Sequence, residues 1–204
     1  MPRSASSRRT EPPRAWQRML SGRRLDLLDP SPLDVELDDI AHGLARVARW
    51  NGQTRGAHIY SVAQHSLLVD VVAQALAPDA RDAERLGILL HDAPEYVIGD
   101  MISPFKAVIG DVYKEVETRL LSAIRLRFGL RAIPPQTLVK LTKRADRTAA
   151  YLEATRLAGF ADAEARAFFG DPDGAPADLD VWLTPWPADV AQTRFAERCR
   201  ALMG

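Results

Sequence analysis

The sequence predicts an all-α helical bundle with one short β-hairpin near its N-terminus. Three observations carry this reading. From Asp38 onward the apolar residues recur at helical spacing, and only residues 25–37 alternate as strands do. The 204 residues are 47% hydrophobic and 26% charged, enough for one core of ordinary size. No repeat divides the chain, so residues 14–204 read as one domain.

In order, Met1 to Pro13 is rich in Ser, Arg and Pro and reads as a disordered basic tail, or else as an arm that touches an anionic ligand or partner. Order is expected from about residue 14, where Trp16, Met19 and Leu20 are apolar at helical spacing. Leu25 to Leu27 and Val35 to Leu37 alternate on either side of the turn signal Asp29-Pro-Ser-Pro32, which suggests a hairpin or two extended stubs. Asp38 or Asp39 caps a helix through Ile40, Leu44, Val47 and Ala48, broken by Asn51-Gly52. Ser61 caps the next, with Val62, His65, Val69, Val72 and Leu76 on one stripe. A third, after Pro78, carries Ala83, Leu86, Leu89 and Leu90. Pro94 lacks an N–H for the Leu90 carbonyl, so that helix kinks or ends near His91. A loop over 99–104 leads to a long amphipathic helix over 106–128. Pro134-Pro135 opens another, through Leu138, Leu141, Ala145, Ala149 and Leu152 to about Gly159. The Asp- and Pro-rich stretch 170–187 reads as a long loop, and 188–203 as a closing helix.

Composition excludes several classes. Lys+Arg and Asp+Glu are both 27, so the chain is not built as a whole to coat nucleic acid or an anionic membrane. The charge is uneven, however: residues 1–24 hold seven Arg and one acid. The one cysteine, Cys199, can form neither an internal disulfide nor a CxxC site, which fits a reducing cytosol. No run of apolar residues is long enough to span a bilayer. GxSxG and P-loop motifs are missing, so serine-hydrolase and P-loop NTPase chemistry lack support.

The four histidines are His42, His58, His65 and His91. His65 lies on an apolar stripe and points inward, and taken alone it could be a buried imidazole satisfied by a carbonyl. His91 precedes Asp92 at the end of an apolar helix. Asp146 shares a helix face with Val139, Ala150 and Leu157, where a carboxylate needs a cation or strong donors, whether Lys143, Arg144, Arg147 or a metal. One explanation covers all of them: a single divalent metal held by His65, His91, Asp92 and Asp146. Two imidazoles and two carboxylates suit Mn, Co, Fe, Ni or Zn better than Ca, with Mg also admissible. His58 reads as a solvated loop residue.

These residues resemble the metal signature of the HD-domain phosphohydrolase superfamily. The run His91-Asp-Ala-Pro-Glu-Tyr-Val-Ile-Gly-Asp100 with Pro104 and Lys106, the stretch Tyr60-Ser-Val-Ala-Gln-His65-Ser, Lys143-Arg-Ala-Asp146 and Tyr151-Leu-Glu153 are similar to the bacterial 5'-deoxynucleotidase branch. The similarity covers about residues 39–158, while the flanks look closer to phage relatives that hydrolyse dATP. The resemblance implies that Glu95 orients or deprotonates an attacking water and that Asp100 serves the leaving oxygen. It also implies that Arg49 and Trp50 contact nucleotide and that Lys106 faces phosphate. No histidine follows His91, so a mononuclear site is expected rather than the dinuclear sites of other branches.

The expected reaction is water attack on a nucleotide phosphorus, releasing orthophosphate from a nucleoside monophosphate. The alternatives are a dNTP triphosphohydrolase, with residues 14–24 supplying charge for the longer tail, and a non-catalytic nucleotide-binding regulator. Apolar residues on more than one face of the 106–128 helix, such as Val108, Tyr113, Leu121 and Leu126, suggest a homodimer, as is common among relatives. No nucleic-acid polymer or membrane partner is expected, and the expected location is the cytoplasm.

Overall fold

The computed structural model describes residues 14–102, 105, 108 and 110–204. The expected tail over 1–13 and Lys106 lie outside these residues. The fold is mainly α, with one two-stranded antiparallel hairpin.

That hairpin is not the one expected. β1 (Trp16–Arg18) pairs with β2 (Arg24–Asp26), with Gln17 opposite Leu25. Trp16, Met19 and Leu20 therefore do not share a helix. Gly22, at φ 87°, takes the left-handed conformation that the tight return requires. The Asp29–Pro32 segment leads instead into a 3-10 turn, Pro32–Asp34, capped by Ser31. Ser21 ties the hairpin to the first helix, donating from its N–H (3.0 Å) and its hydroxyl (2.5 Å) to the Asp39 carboxylate.

The helices follow the apolar stripes. α1 is Leu37–Leu44, starting just before the expected caps. α2 is Val62–Leu76, and its Ser61 hydroxyl accepts from the Gln64 N–H at 3.2 Å, as the sequence predicts for an N-cap. α3 is Asp82–Leu89, and the chain then turns through 90–94 before α4, Glu95–Ile98, which Pro94 precedes. α5 (Asp111–Arg127) and α6 (Gln136–Arg156) are the long helices. α7 is Asp162–Phe169, and α8 (Leu179–Leu183) lies within the stretch expected as loop, so 170–187 is not wholly loop. α9 is Ala188–Met203.

Nearly all of α2 is buried, and it packs against α6, α3 and α9. Two core clusters flank it. One gathers Ile40, Leu44, Leu89, Ile124 and Phe195, and the other Val69, Val72, Ile88, Ala149 and Leu152. Polar struts fix the arrangement. Buried Asp70 of α2 accepts two bonds from Arg85 of α3 (2.9 and 3.0 Å) and one from Arg198 of α9 (2.8 Å). Gln64 donates to the Trp182 and Thr184 carbonyls and accepts from the Trp186 N–H, clamping the α8 segment onto α2. A helix held on several sides in this way keeps His65, one residue after Gln64, in a fixed position.

Candidate metal centre

His65 is completely buried on α2, His91 follows the end of α3, Asp92 is next to it, and Asp146 projects from the middle of α6. The three helices bring these four residues together. His65 Nε2 is 3.3 Å from Asp146 Oδ1 and 3.5 Å from Asp92 Oδ2, and His91 Nε2 is 3.2 Å from Asp92 Oδ2. Ligand atoms of His65, His91 and Asp146 all lie within 4.8 Å of one another. None of Lys143, Arg144 and Arg147 forms an ion pair with Asp146, and Arg144 pairs with Asp173.

The other edge of each ring is already committed. His65 Nδ1 is 2.5 Å from Glu153 Oε1, and His91 Nδ1 is 2.8 Å from the Ile88 carbonyl. Both partners are acceptors, so each Nδ1 carries the hydrogen and each Nε2 presents its lone pair inward. Both Nε2 atoms are buried without a hydrogen-bond partner. Two lone pairs and two carboxylates thus converge with no donor between them, an arrangement that requires a cation. Two imidazoles braced from behind and two carboxylates in front make a donor set that fits a divalent transition metal.

Electrostatics agree. Burial alone would raise the Asp92 carboxyl, but the facing His91 and His65 hold it well below the usual range, and His65 likewise lowers Asp146. Burial and the Arg49 charge oppose a protonated His65, yet Glu153, Asp146 and Asp92 outweigh them and push it well up.

A second tier surrounds the cluster. The 3-10 turn Arg49–Gly52 holds Trp50 and Asn51 at φ 57° and 50°, left-handed values that are costly for a residue as bulky as tryptophan. This turn lets Trp50 Nε1 donate to Glu153 Oε2 at 2.9 Å and sets Arg49 between two acids, Asp100 at 3.2 Å and Glu153 at 3.5 Å. Trp50 also meets Phe160 at a tilt and Phe169 edge-on, at 5.6 and 6.0 Å between ring centroids.

The family model for 5'-deoxynucleotidase YfbR-like proteins matches residues 39–164, more than half of the chain and all four residues of the metal cluster. The chain belongs to the YfbR-like 5'-deoxynucleotidase family, of HD-type hydrolases. An uncharacterized protein of Rhodobacter capsulatus is 59% identical over 160 residues, 78% of this chain and 82% of that one.

Other expected site residues of this YfbR-like chain fall around the same centre. Glu95 is buried at the start of α4, and its N–H donates to the Asp92 carbonyl at 3.0 Å, so it stands on a new helical turn rather than on a continued α3. Asp100 follows α4, and Arg49 holds its carboxylate. His58 is exposed, as expected. Sequence reasoning assigned no role to Glu153, although it lies seven residues after Asp146 and hence on the same face of α6. Fully buried, it is held below the usual carboxylate range despite its burial, because His65 and Arg49 favour its charge.

Proposed function

We propose that this chain is a metal-dependent 5'-nucleotidase that hydrolyses nucleoside monophosphates to nucleoside and orthophosphate. The observation that carries the reading is the pair of buried, unpartnered Nε2 atoms facing the Asp92 and Asp146 carboxylates. His65, His91, Asp92 and Asp146 would hold one divalent ion. Bound there, such an ion makes water nucleophilic near neutral pH and offsets charge on phosphoryl oxygens.

The rest is the work of side chains. Glu153 and the Ile88 carbonyl keep both imidazoles in the tautomer that ligation needs. Glu95, buried and three residues after Asp92, aligns and deprotonates the attacking water. A substrate phosphate draws Arg49 away from Asp100, which frees that carboxyl to serve the leaving 5'-oxygen. Trp50 offers an aromatic face for base or sugar next to Phe160 and Phe169.

The triphosphohydrolase alternative leaned on residues 14–24. There, Arg14, Arg18 and Arg24 lie over the Trp16 ring, and Arg23 pairs with Glu36. That engagement favours the monophosphate reading. Product analysis tests it: purified protein is mixed with each dNMP, NMP and dNTP plus Mn or Co, and the products are separated. Orthophosphate from monophosphates is expected, and intact triphosphate released from dNTPs would replace this reading with the alternative.

A further inference from the structure

Arg125, on α5, is a buried cation whose charge no carboxylate answers among the described residues. It is 4% exposed, and among the described residues its side chain makes one hydrogen bond, from Nε to the Arg131 carbonyl at 2.7 Å. The chain treats its other enclosed arginines differently: Arg85 pairs with Asp70, and Arg49 with Asp100 and Glu153. A guanidinium keeps its proton in a protein, and one this enclosed with no carboxylate beside it favours an anion where its terminal nitrogens open onto a cavity. Burial is also the sole influence acting on this group's acidity, pulling its pKa down.

Arg125 lines a cavity of about 250 Å³ whose wall is largely apolar, with Gly87 beside it and with Lys143 and the two metal-cluster residues His91 and Asp146 as its other charged or metal-ligating groups. A methyl group at Gly87 would stand 3.0 Å from Arg125 Nη1 and 3.6 Å from Nη2, so the glycine leaves room for the fork against α3. Lys143, one turn before Asp146 on α6, adds a second cation, and neither it nor Arg125 has an acidic partner among the described residues. The volume is below the roughly 300–1,000 Å³ of pockets for drug-sized ligands, which suits a small anion.

We propose that this cavity is an anion subsite in which Arg125 and Lys143 hold a phosphate group beside the His91–Asp146 edge of the cluster. Its part in catalysis rests on the nucleotidase reading, but its binding of phosphate does not. The group has two sources, the distal phosphoryl of a nucleoside di- or triphosphate or the orthophosphate that hydrolysis releases.

Calorimetric titration of inorganic phosphate into the full-length protein tests the subsite, with Arg125→Gln and Lys143→Gln compared at equal metal content. The wild type is expected to bind, and each variant to bind about tenfold or more weakly, as the loss of a charge-assisted contact implies. Lys143 is exposed, so its variant answers the question even where Arg125→Gln folds poorly. No binding by the wild type, or unchanged affinity in Lys143→Gln, overturns the proposal. Steady-state kinetics separate the sources. A rise in KM for a triphosphate relative to a monophosphate in Lys143→Gln assigns the site to substrate, and weaker inhibition by orthophosphate assigns it to product. In a chain that does turn nucleotide over, the absence of both changes overturns the proposal. Phosphate binding through these residues in a chain that hydrolyses no nucleotide would sink the nucleotidase reading and leave the subsite standing.

Discussion

Replacing Glu153 with glutamine changes one atom and removes one charge, yet it reaches both tiers of the site. In the wild type, Oε1 meets His65 Nδ1 at 2.5 Å while Oε2 accepts from Trp50 Nε1 at 2.9 Å and lies 3.5 Å from Arg49 Nε. Every neighbour is a donor. A glutamine has one acceptor oxygen, so its amide N–H₂ must face either His65 or the Trp50–Arg49 pair. A buried donor left unmatched costs about 1–3 kcal/mol, and the surviving bond loses its charge assistance. Partners that orient metal-binding histidines typically contribute about 10–100-fold in metal affinity or activity. Glu153→Gln is therefore expected to weaken Mn or Co binding by about that factor, or roughly 1.4–2.7 kcal/mol. Glu153→Ala also leaves Arg49 with Asp100 alone, for about 3–5 kcal/mol of lost fold stability. Calorimetric metal titration and thermal unfolding read the two effects separately. A folded Glu153→Gln protein with wild-type metal affinity would refute the reasoning.

Asp146→Ala, or excess chelator, should abolish orthophosphate release with the helical circular dichroism retained, and wild-type turnover in either sample contradicts the ligand assignment. Because its carboxylate neighbours favour the charged form of the metal-free His65 imidazole despite its burial, metal binding is expected to expel protons and weaken as pH falls. Titrations in buffers of different ionisation enthalpy should show net proton release, and zero release would be inconsistent with that charge state. Burial pushes the Cys199 thiol up to about 12, so it should resist thiol reagents at pH 8 until the chain is unfolded. An unfolded thiol ionises near its ordinary value of 9.0, so this group subtracts stability as pH rises from there toward 12, and fast labelling of the native protein would contradict its burial. Ser61→Ala should lower stability by about 1 kcal/mol through loss of the α2 cap, a change that denaturant unfolding detects.

The apolar stripes made α2 and α6 legible, and with them the inward direction of His65 and Asp146, because amphipathic helices of 15 and 21 residues repeat their signal over several turns. Pro94 marked the break after α3 through its missing donor alone. The hairpin was misplaced for the opposite reason. Trp16, Met19 and Leu20 satisfy helical spacing over only five residues, while a three-residue strand such as β1 is stabilised by its partner and by Asp39, neither of which is local in sequence. α7 and α8 are short helices whose places are set by packing and, for α8, by the Gln64 clamp. Glu153 carried a usable sign, the seven-residue step from Asp146, but its role depends on Arg49 and Trp50, about a hundred residues earlier. In the sequence, nothing separates Arg125 from the other basic residues of its helix. Its isolation is visible only once α3 and α6 surround it.

The most direct measurement titrates metal-free protein with Co or Mn while orthophosphate release from a deoxynucleoside monophosphate is recorded. A single centre built from His65, His91, Asp92 and Asp146 predicts that activity rises from none and breaks sharply at one equivalent per chain. Turnover before any metal is added, a break at two equivalents, or no turnover at any loading would contradict it.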